Sequence, residues 1–377
     1  MDLRFVRDLT EKPGPFATAY LDASHDTEDA AHAGGLRWAG ARGELAEQGA
    51  DEATLAALEA AATRDDPPVG RAGRVLVAAG GQVLLDRLVP EPPASARVRW
   101  GSVPDLVPLL VDQGEPVTAV VARIDDTGGE ILLARPGSDP EPVGGKVDAD
   151  PAGPVHKVRG GGWHHLKMQH RVEETWRRNT AAVAERIDTL VSETAAGVVV
   201  IAGETQSRSR LRGALGERSS GIAVEVEHST AAGSDELEEA VEAAVRDVVD
   251  ERRHAALEQL DQALGRPDGL AVHGVEPVLA ALRATAVETL FLDGGVARAG
   301  RVWVGEAPTA VATREDELRA MGAEPVQQLD VDDALLRAAA ASDAAFVPLG
   351  GGRSGFVGRP VDDGVAAVLR FPLPPGA

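Results

Sequence analysis

Apolar positions repeat along this chain with two periods, and the period changes from segment to segment. Phe16-Ala-Thr-Ala-Tyr20-Leu21 alternates and predicts a strand. Residues 36–48 and 52–63 carry Ala-rich helical patterns, the second closed by Asp65-Asp66-Pro67-Pro68. Runs at 74–78 and 82–86 flank Gly80-Gly81 and predict a hairpin. The Pro-rich run from Pro90 to about 115 reads as a linker with some paired strand, so residues 1–115 are expected to form an N-terminal α/β domain.

A second unit is expected over 116–264. Residues 117–124 and 130–134 flank Asp125-Asp-Thr-Gly-Gly, a strong hairpin signal. Pro136 to Gly162 holds seven Gly and five Pro and is expected to form a long loop without regular structure, of the kind that is functional or disordered. Val172, Trp176, Val183, Ile187, Leu190 and Val191 then predict one long helix over 163–193. A buried strand at 197–202, a helix at 205–215, a strand at 222–226 and an acidic helix at 235–264 complete an α/β unit. Leu264-Gly265-Arg-Pro-Asp-Gly marks the next boundary. Over 265–377 helices (274–284, 315–321, 330–342) alternate with strands (288–292, 301–304, 344–348, 365–371), which predicts a small α/β/α domain. The fold class is therefore multidomain α/β, and no internal repeat is evident.

Composition narrows the chemistry. The 377 residues contain no cysteine, which removes disulfides, thiolate metal sites and a Cys nucleophile. The N-terminal residues lack a signal-peptide apolar core and no run is long enough to span a bilayer, so a cytoplasmic protein with no membrane partner is expected. A formal net charge of −22 argues against general nucleic-acid binding. No DNA partner is expected, and any RNA contact has to be local.

One segment supplies that local exception. Residues 155–179 carry six Lys or Arg against two Glu, and four of the nine histidines fall between 156 and 170. Lys157, Arg159, Lys167, Arg171, Arg177 and Arg178 suit an anionic partner. Gly160, Gly161 and Gly162 permit close backbone approach. His156, Trp163, His164 and His165 offer rings that stack on unpaired bases. From composition alone, a solvated loop before an ordinary amphipathic helix is about as good a reading.

Other candidates are weaker. Asp22, Ser24, His25 and Asp26 have triad residue types, but neighbours in sequence cannot adopt triad geometry, so a loop network or helix cap is expected. The histidines lack zinc-helix spacing, and no metal or cofactor is expected. Gly350-Gly-Gly-Arg-Ser-Gly lacks the Gly-Lys-Ser/Thr ending of a phosphate loop. Residues 235–251, with eight Asp or Glu against one Arg, read as a solvated face.

The Gly-Gly tip running into a long Arg-rich helix resembles the middle domain of the archaeo-eukaryotic release factors and Pelota. The whole chain is similar to the bacterial branch of that family, especially its actinobacterial members; the hibernation factor Balon belongs to the same group. The segments that carry the likeness are Gly14 to Thr27, Val69 to Val77, Val155-His-Lys and Val200 to Arg208. The resemblance implies an RNase H-like middle domain. It also implies an L7Ae-like C-terminal domain, which Gly274-Val-Glu-Pro-Val-Leu-Ala-Ala-Leu and Ala286-Val-Glu-Thr-Leu-Phe-Leu fit.

It further implies a ribosome-bound factor whose loop enters the A site beside rRNA near the peptidyl-transferase centre, of the hibernation or stalled-ribosome type, with elongation factor Tu as a further partner. At the tip the pattern departs: Trp163 stands where release factors have the Gln that positions the hydrolytic water. Binding without catalysis is the leading expectation. The alternatives are a peptidyl-tRNA hydrolase or rescue factor, with His164 or His165 orienting the water, and a stress-induced α/β protein that binds no RNA.

Overall fold

The computed structural model describes residues 1–24, 30–64, 71–89, 91–113, 117–124, 128–135, 140–143, 147–148, 163–227, 234–296, 298, 300–350 and 360–374. The chain divides into two compact units, one made of Met1–Glu115 together with Arg252–Ala377, the other of Pro116–Glu251.

In the first unit the N-terminal segment runs α1 (Arg4–Thr10), β1 (Phe16–Asp22), α2 (Ala30–Glu47), α3 (Glu52–Ala62), β2 (Gly73–Ala79), β3 (Gln82–Val89), β4 (Arg97–Gly101) and α4 (Val107–Gln113). Its antiparallel sheet has the order β3-β2-β1-β4. The alternation in β1 is a two-faced burial pattern. Ala17, Ala19 and Leu21 face Trp38, Leu45, Leu55 and Leu58 of α2 and α3, while Phe16 and Tyr20 face the other way, into a cluster with Leu3, Val6, Leu106 and Leu110.

The span 90–115, expected as a linker, instead contains β4 and α4, and Leu106, Leu109 and Leu110 are fully buried. Seven-residue helices give too short a window for periodicity to register, and β4 carries the charge of Arg99 toward Asp333, a partner remote in sequence. The seven-residue α1 was unanticipated for the first of these reasons.

The second unit comprises β5 (Ala119–Ile124), β6 (Gly128–Ala134), β7 (Glu141–Pro142), β8 (Val147–Asp148), α5 (Trp163–Thr194), β9 (Val198–Gly203), α6 (Thr205–Ala214), α7 (Glu217–Gly221), β10 (Ala223–Glu227) and the first part of α8 (Ser234–Leu264). The sheet order is β10-β9-β5-β6-β7, with β8 also on β6; β5, β9 and β10 are parallel and β6 runs against its neighbours. This is a mixed sheet within an α/β unit. β7 and β8 fall inside the stretch expected to lack regular structure. The outer edge of β6 presents unpaired backbone groups, and two-residue strands satisfy some of them.

The C-terminal segment contributes β11 (Ala271–His273), α9 (Val275–Arg283), β12 (Val287–Leu292), β13 (Arg301–Val304), β14 (Val311–Ala312), α10 (Glu315–Ala320), β15 (Gln327–Asp330), α11 (Val331–Ala341), β16 (Ala345–Pro348) and β17 (Val365–Leu369). Its main sheet, β11-β17-β12-β16, lies between Leu257 and Leu260 of α8 on one face and α9 with α11 on the other. This makes the α/β/α sandwich. A three-stranded sheet, β14-β13-β15, adds to it; β11, β14 and β15 are too short to show in the sequence.

The N- and C-terminal segments share one core, in which Leu3, Val6 and Leu106 meet Leu335, Ala338 and Phe346. At its border the Phe346 N–H donates to Met1 O at 2.9 Å, and Arg7 donates to Ala340 O and pairs with Asp343.

Candidate functional site

The basic segment singled out from sequence runs into α5. At 1.5 Å per residue its 32 residues make a rod about 48 Å long. Its C-terminal half is its anchor. Val183, Ala184, Ile187, Leu190 and Val191 form a stripe at positions i, i+1, i+4, i+7 and i+8, buried against Val120, Ala122, Ile131, Val199 and Ile201 of the sheet. Leu211 and Leu215 of the α6 side join the same cluster. The Asp188 carboxylate accepts from the Gly216 N–H at 3.1 and 3.2 Å, tying the start of α7 to the anchored half. The sheet's other face is covered by Leu237, Val241 and Ala244 of α8, while Glu238, Glu239, Glu242 and Asp247 face solvent. The acid run at 235–251 is therefore a solvated face over most of its length.

Trp163, His164, His165, Lys167, Arg171 and Arg177 occupy the N-terminal half of α5, with Trp163 as its first residue and about 30 Å along the axis from Val183. Side chains of α5 are described from Arg178 onward, and Arg178 is exposed. His156, Lys157, Arg159, Gly160, Gly161 and Gly162 lie outside the described residues. The first turn of α5 contains no acidic residue, so the positive end of its dipole is not neutralised by its own side chains. The arrangement is a long helix, anchored at one end and led at the other by rings and bases, beginning where the Gly-rich segment ends.

The remaining sequence candidates resolve into structural roles. Asp22 accepts from the Ser24 N–H at 2.9 Å and pairs with Arg37. Burial opposes its ionisation, but Ser24 and Arg37 hold its carboxyl below the ordinary value. His25 and Asp26 lie outside the described residues, as do 351–359 of the Gly350 loop. Among the described residues no group of three or more His, Asp or Glu is placed to hold a metal, and no helix is long and apolar enough to cross a membrane.

Sequence reading missed two clusters. In one, the buried Arg208 guanidinium donates to Gly203 O at 2.5 Å and shares Glu225 with Arg212, each at 3.4 Å. In the other, Asp105 pairs with Arg97 and Arg99, and Arg99 also pairs with Asp333. Arg99 and Asp333 are separated by more than 200 positions, and no local pattern signals their pairing.

The model of bacterial archaeo-eukaryotic release factor family 2 matches residues 118–266, which takes in the sheet, α5 and all of α8. Two Mycobacterium tuberculosis relatives, Uncharacterized protein Rv2629 and Uncharacterized protein MT2704, are each 34% identical over 375 residues, covering 97% of this chain and 96% of theirs. The chain belongs to the bacterial archaeo-eukaryotic release-factor family.

Solved structures with similarity include Saccharomyces cerevisiae Dom34, a translation termination-like factor, at 11% identity over 81% of each chain and a TM-score of 0.42. Archaeoglobus fulgidus Pelota gives 15% identity, 98% and 91% coverage and a TM-score of 0.35. The archaeal translation termination factor aRF1 gives 17%, 98% and 96%, and 0.24.

Proposed function

We propose that this protein binds the ribosome, with the loop over 136–162 and the N-terminal half of α5 entering the A site toward the peptidyl-transferase centre, and that it acts by occupancy, as a hibernation or stalled-ribosome factor. The observation that carries this reading is the concentration of base on one end of one helix. In a chain of formal net charge −22, residues 155–179 hold six Lys or Arg against two Glu, at the start of a helix whose first turn has no acid. Such a protein has little affinity for nucleic acid in general and a strong local affinity where rRNA surrounds the tip. Membership of a release-factor family supplies the direction.

In this reading Lys157, Arg159, Lys167, Arg171, Arg177 and Arg178 lie on phosphates, Gly160–Gly162 give close approach, and His156, Trp163, His164 and His165 stack. Elongation factor Tu is a further partner in this reading.

Occupancy is favoured over hydrolysis by Trp163 itself. An indole donates one hydrogen bond and accepts none, so it does not orient a nucleophilic water as an amide does. Ribosomes carrying peptidyl-tRNA decide the matter. The protein is expected to bind them and leave the ester intact. Peptide release that His165→Ala abolishes without loss of binding would make the protein a hydrolase instead.

A further inference from the structure

Two edge strands of the first unit are closed by groups that stand in for a further strand. Gln48, just past the end of α2, closes β4: its side-chain amide accepts from the Trp100 N–H at 2.7 Å and donates to Val98 O at 3.4 Å. Met1 closes β16, exchanging both main-chain bonds with Phe346 at 2.9 and 3.0 Å. β3 has no such cover. It ends its sheet in the order β3-β2-β1-β4, and among the described residues nothing bonds its outward N–H and C=O groups. With 8 residues it is the longest strand described, and its open edge runs for about 26 Å.

An open edge of this length is a template for another chain, and its side chains say what kind of chain. Asp86, opposite Leu76, lies on the side of α2 and α3, where Arg74 holds it at 2.7 and 2.8 Å and Arg64 at 3.3 Å. Arg87, opposite Val75, lies on the other face, with its guanidinium 5.2 Å from the centre of the Phe5 ring of α1. Burial draws the pKa of Arg87 down, and no carboxylate among the described residues offsets this. The acid of this edge is therefore satisfied, and its half-buried cation rests on an aromatic ring without an anion.

We propose that the outer edge of β3 is a strand-addition site for an extended segment of a partner protein, with an acidic side chain of that segment meeting Arg87. Main-chain bonds to β3 supply the affinity, and the side chain opposite Arg87 supplies the selectivity. Leu85, two residues from Arg87 on the same face, takes an apolar neighbour of that acid.

A second copy of this chain fits less well. Pairing β3 with β3 about a two-fold axis brings like faces together. On the face of Arg87 the strand carries Leu85 and Val89 but no carboxylate, so both arginines stay unmatched. The site lies in the first unit and does not depend on ribosome binding by α5.

Two short peptides of alternating Val and Thr, one with a central Glu and one with a central Lys, test the edge on the full chain. The Glu peptide should protect alternate amides of β3, those turned away from β2, from hydrogen exchange. In a binding titration it should bind roughly tenfold more tightly than the Lys peptide. R87M keeps an apolar stem over Phe5 and should bind both peptides alike. Protection absent from β3, or equal binding of the two peptides by the wild type, overturns the proposal whether or not R87M folds. Concentration-dependent dimerisation of the free chain that protects the same amides overturns it too, because the edge then belongs to a second copy.

Discussion

Gly129 of β6 and Val183 of α5 meet so closely that a Cβ at Gly129 would stand 3.1 Å from a γ-methyl of Val183. The helix that leads out to Trp163 is seated at this point, and glycine is what lets the two backbones approach. Gly129→Ala should cost about 1–3 kcal/mol through overpacking. Denaturant unfolding reads this directly, and an unchanged midpoint would show that α5 has slack here.

The parallel pair β5–β9 ends at a tighter point. Gly203 has φ near +150°, and a Cβ there would stand 2.2 Å from Ile124 O. Main chain cannot move aside as a flexible side chain can. Gly203→Ala should therefore lose about 3 kcal/mol or more, combining backbone strain with the clash. A loss below about 0.5 kcal/mol, the scatter of ordinary surface substitutions, would contradict the geometry.

Asp51 caps α3 by accepting from the Thr54 N–H at 2.9 Å, and the Thr54 hydroxyl donates to Asp51 at 2.7 Å while accepting from the Gly81 N–H at 3.1 Å. The cap thereby ties α3 to the β2–β3 turn. Asp51→Ala should cost about 1 kcal/mol near neutral pH. The Thr54 hydroxyl, then its N–H, hold the Asp51 carboxyl below the ordinary 3.8. Its contribution is thus present above that value and lost as pH falls through the lowered one. Unfolding curves of wild type and variant should converge in strong acid; a constant difference at every pH would mean the charge is irrelevant.

Trp163→Ala should weaken ribosome binding by about 1–3 kcal/mol, the range for loss of one base–aromatic stack, with fold and thermal midpoint unchanged. Undiminished affinity, measured by ribosome-binding titration, would move the stacking role away from the start of α5.

Much of the architecture was legible because long amphipathic helices and alternating strands declare themselves within a few residues. Val183, Ile187, Leu190 and Val191 marked the helix over 163–193, which the structure extends by one residue to Thr194. Features fixed by distant partners were not legible. Arg97 and Arg99 made β4 look like solvated linker, because the carboxylate of Asp333 that accommodates Arg99 lies on α11. Phe346 and Leu335 read as the core of a separate C-terminal domain, whereas they share a cluster with Leu3 and Val6. At the candidate site, residue types and helix position were readable from the sequence. The depth and firmness of the anchor, set by Gly129 and by Asp188 at Gly216, were not.

Co-sedimentation with 70S ribosomes across a salt series tests the central claim most directly. The wild type should pellet with ribosomes, losing affinity with a shallow salt slope that corresponds to ~3–6 phosphate contacts. Reversing Lys157, Arg159, Lys167 and Arg171 to Glu should leave it in the supernatant. Unstructured RNA should compete poorly. If the reversed protein pellets like the wild type, or free RNA binds as tightly as ribosomes do, the basic end of α5 is not what this chain uses to find its partner.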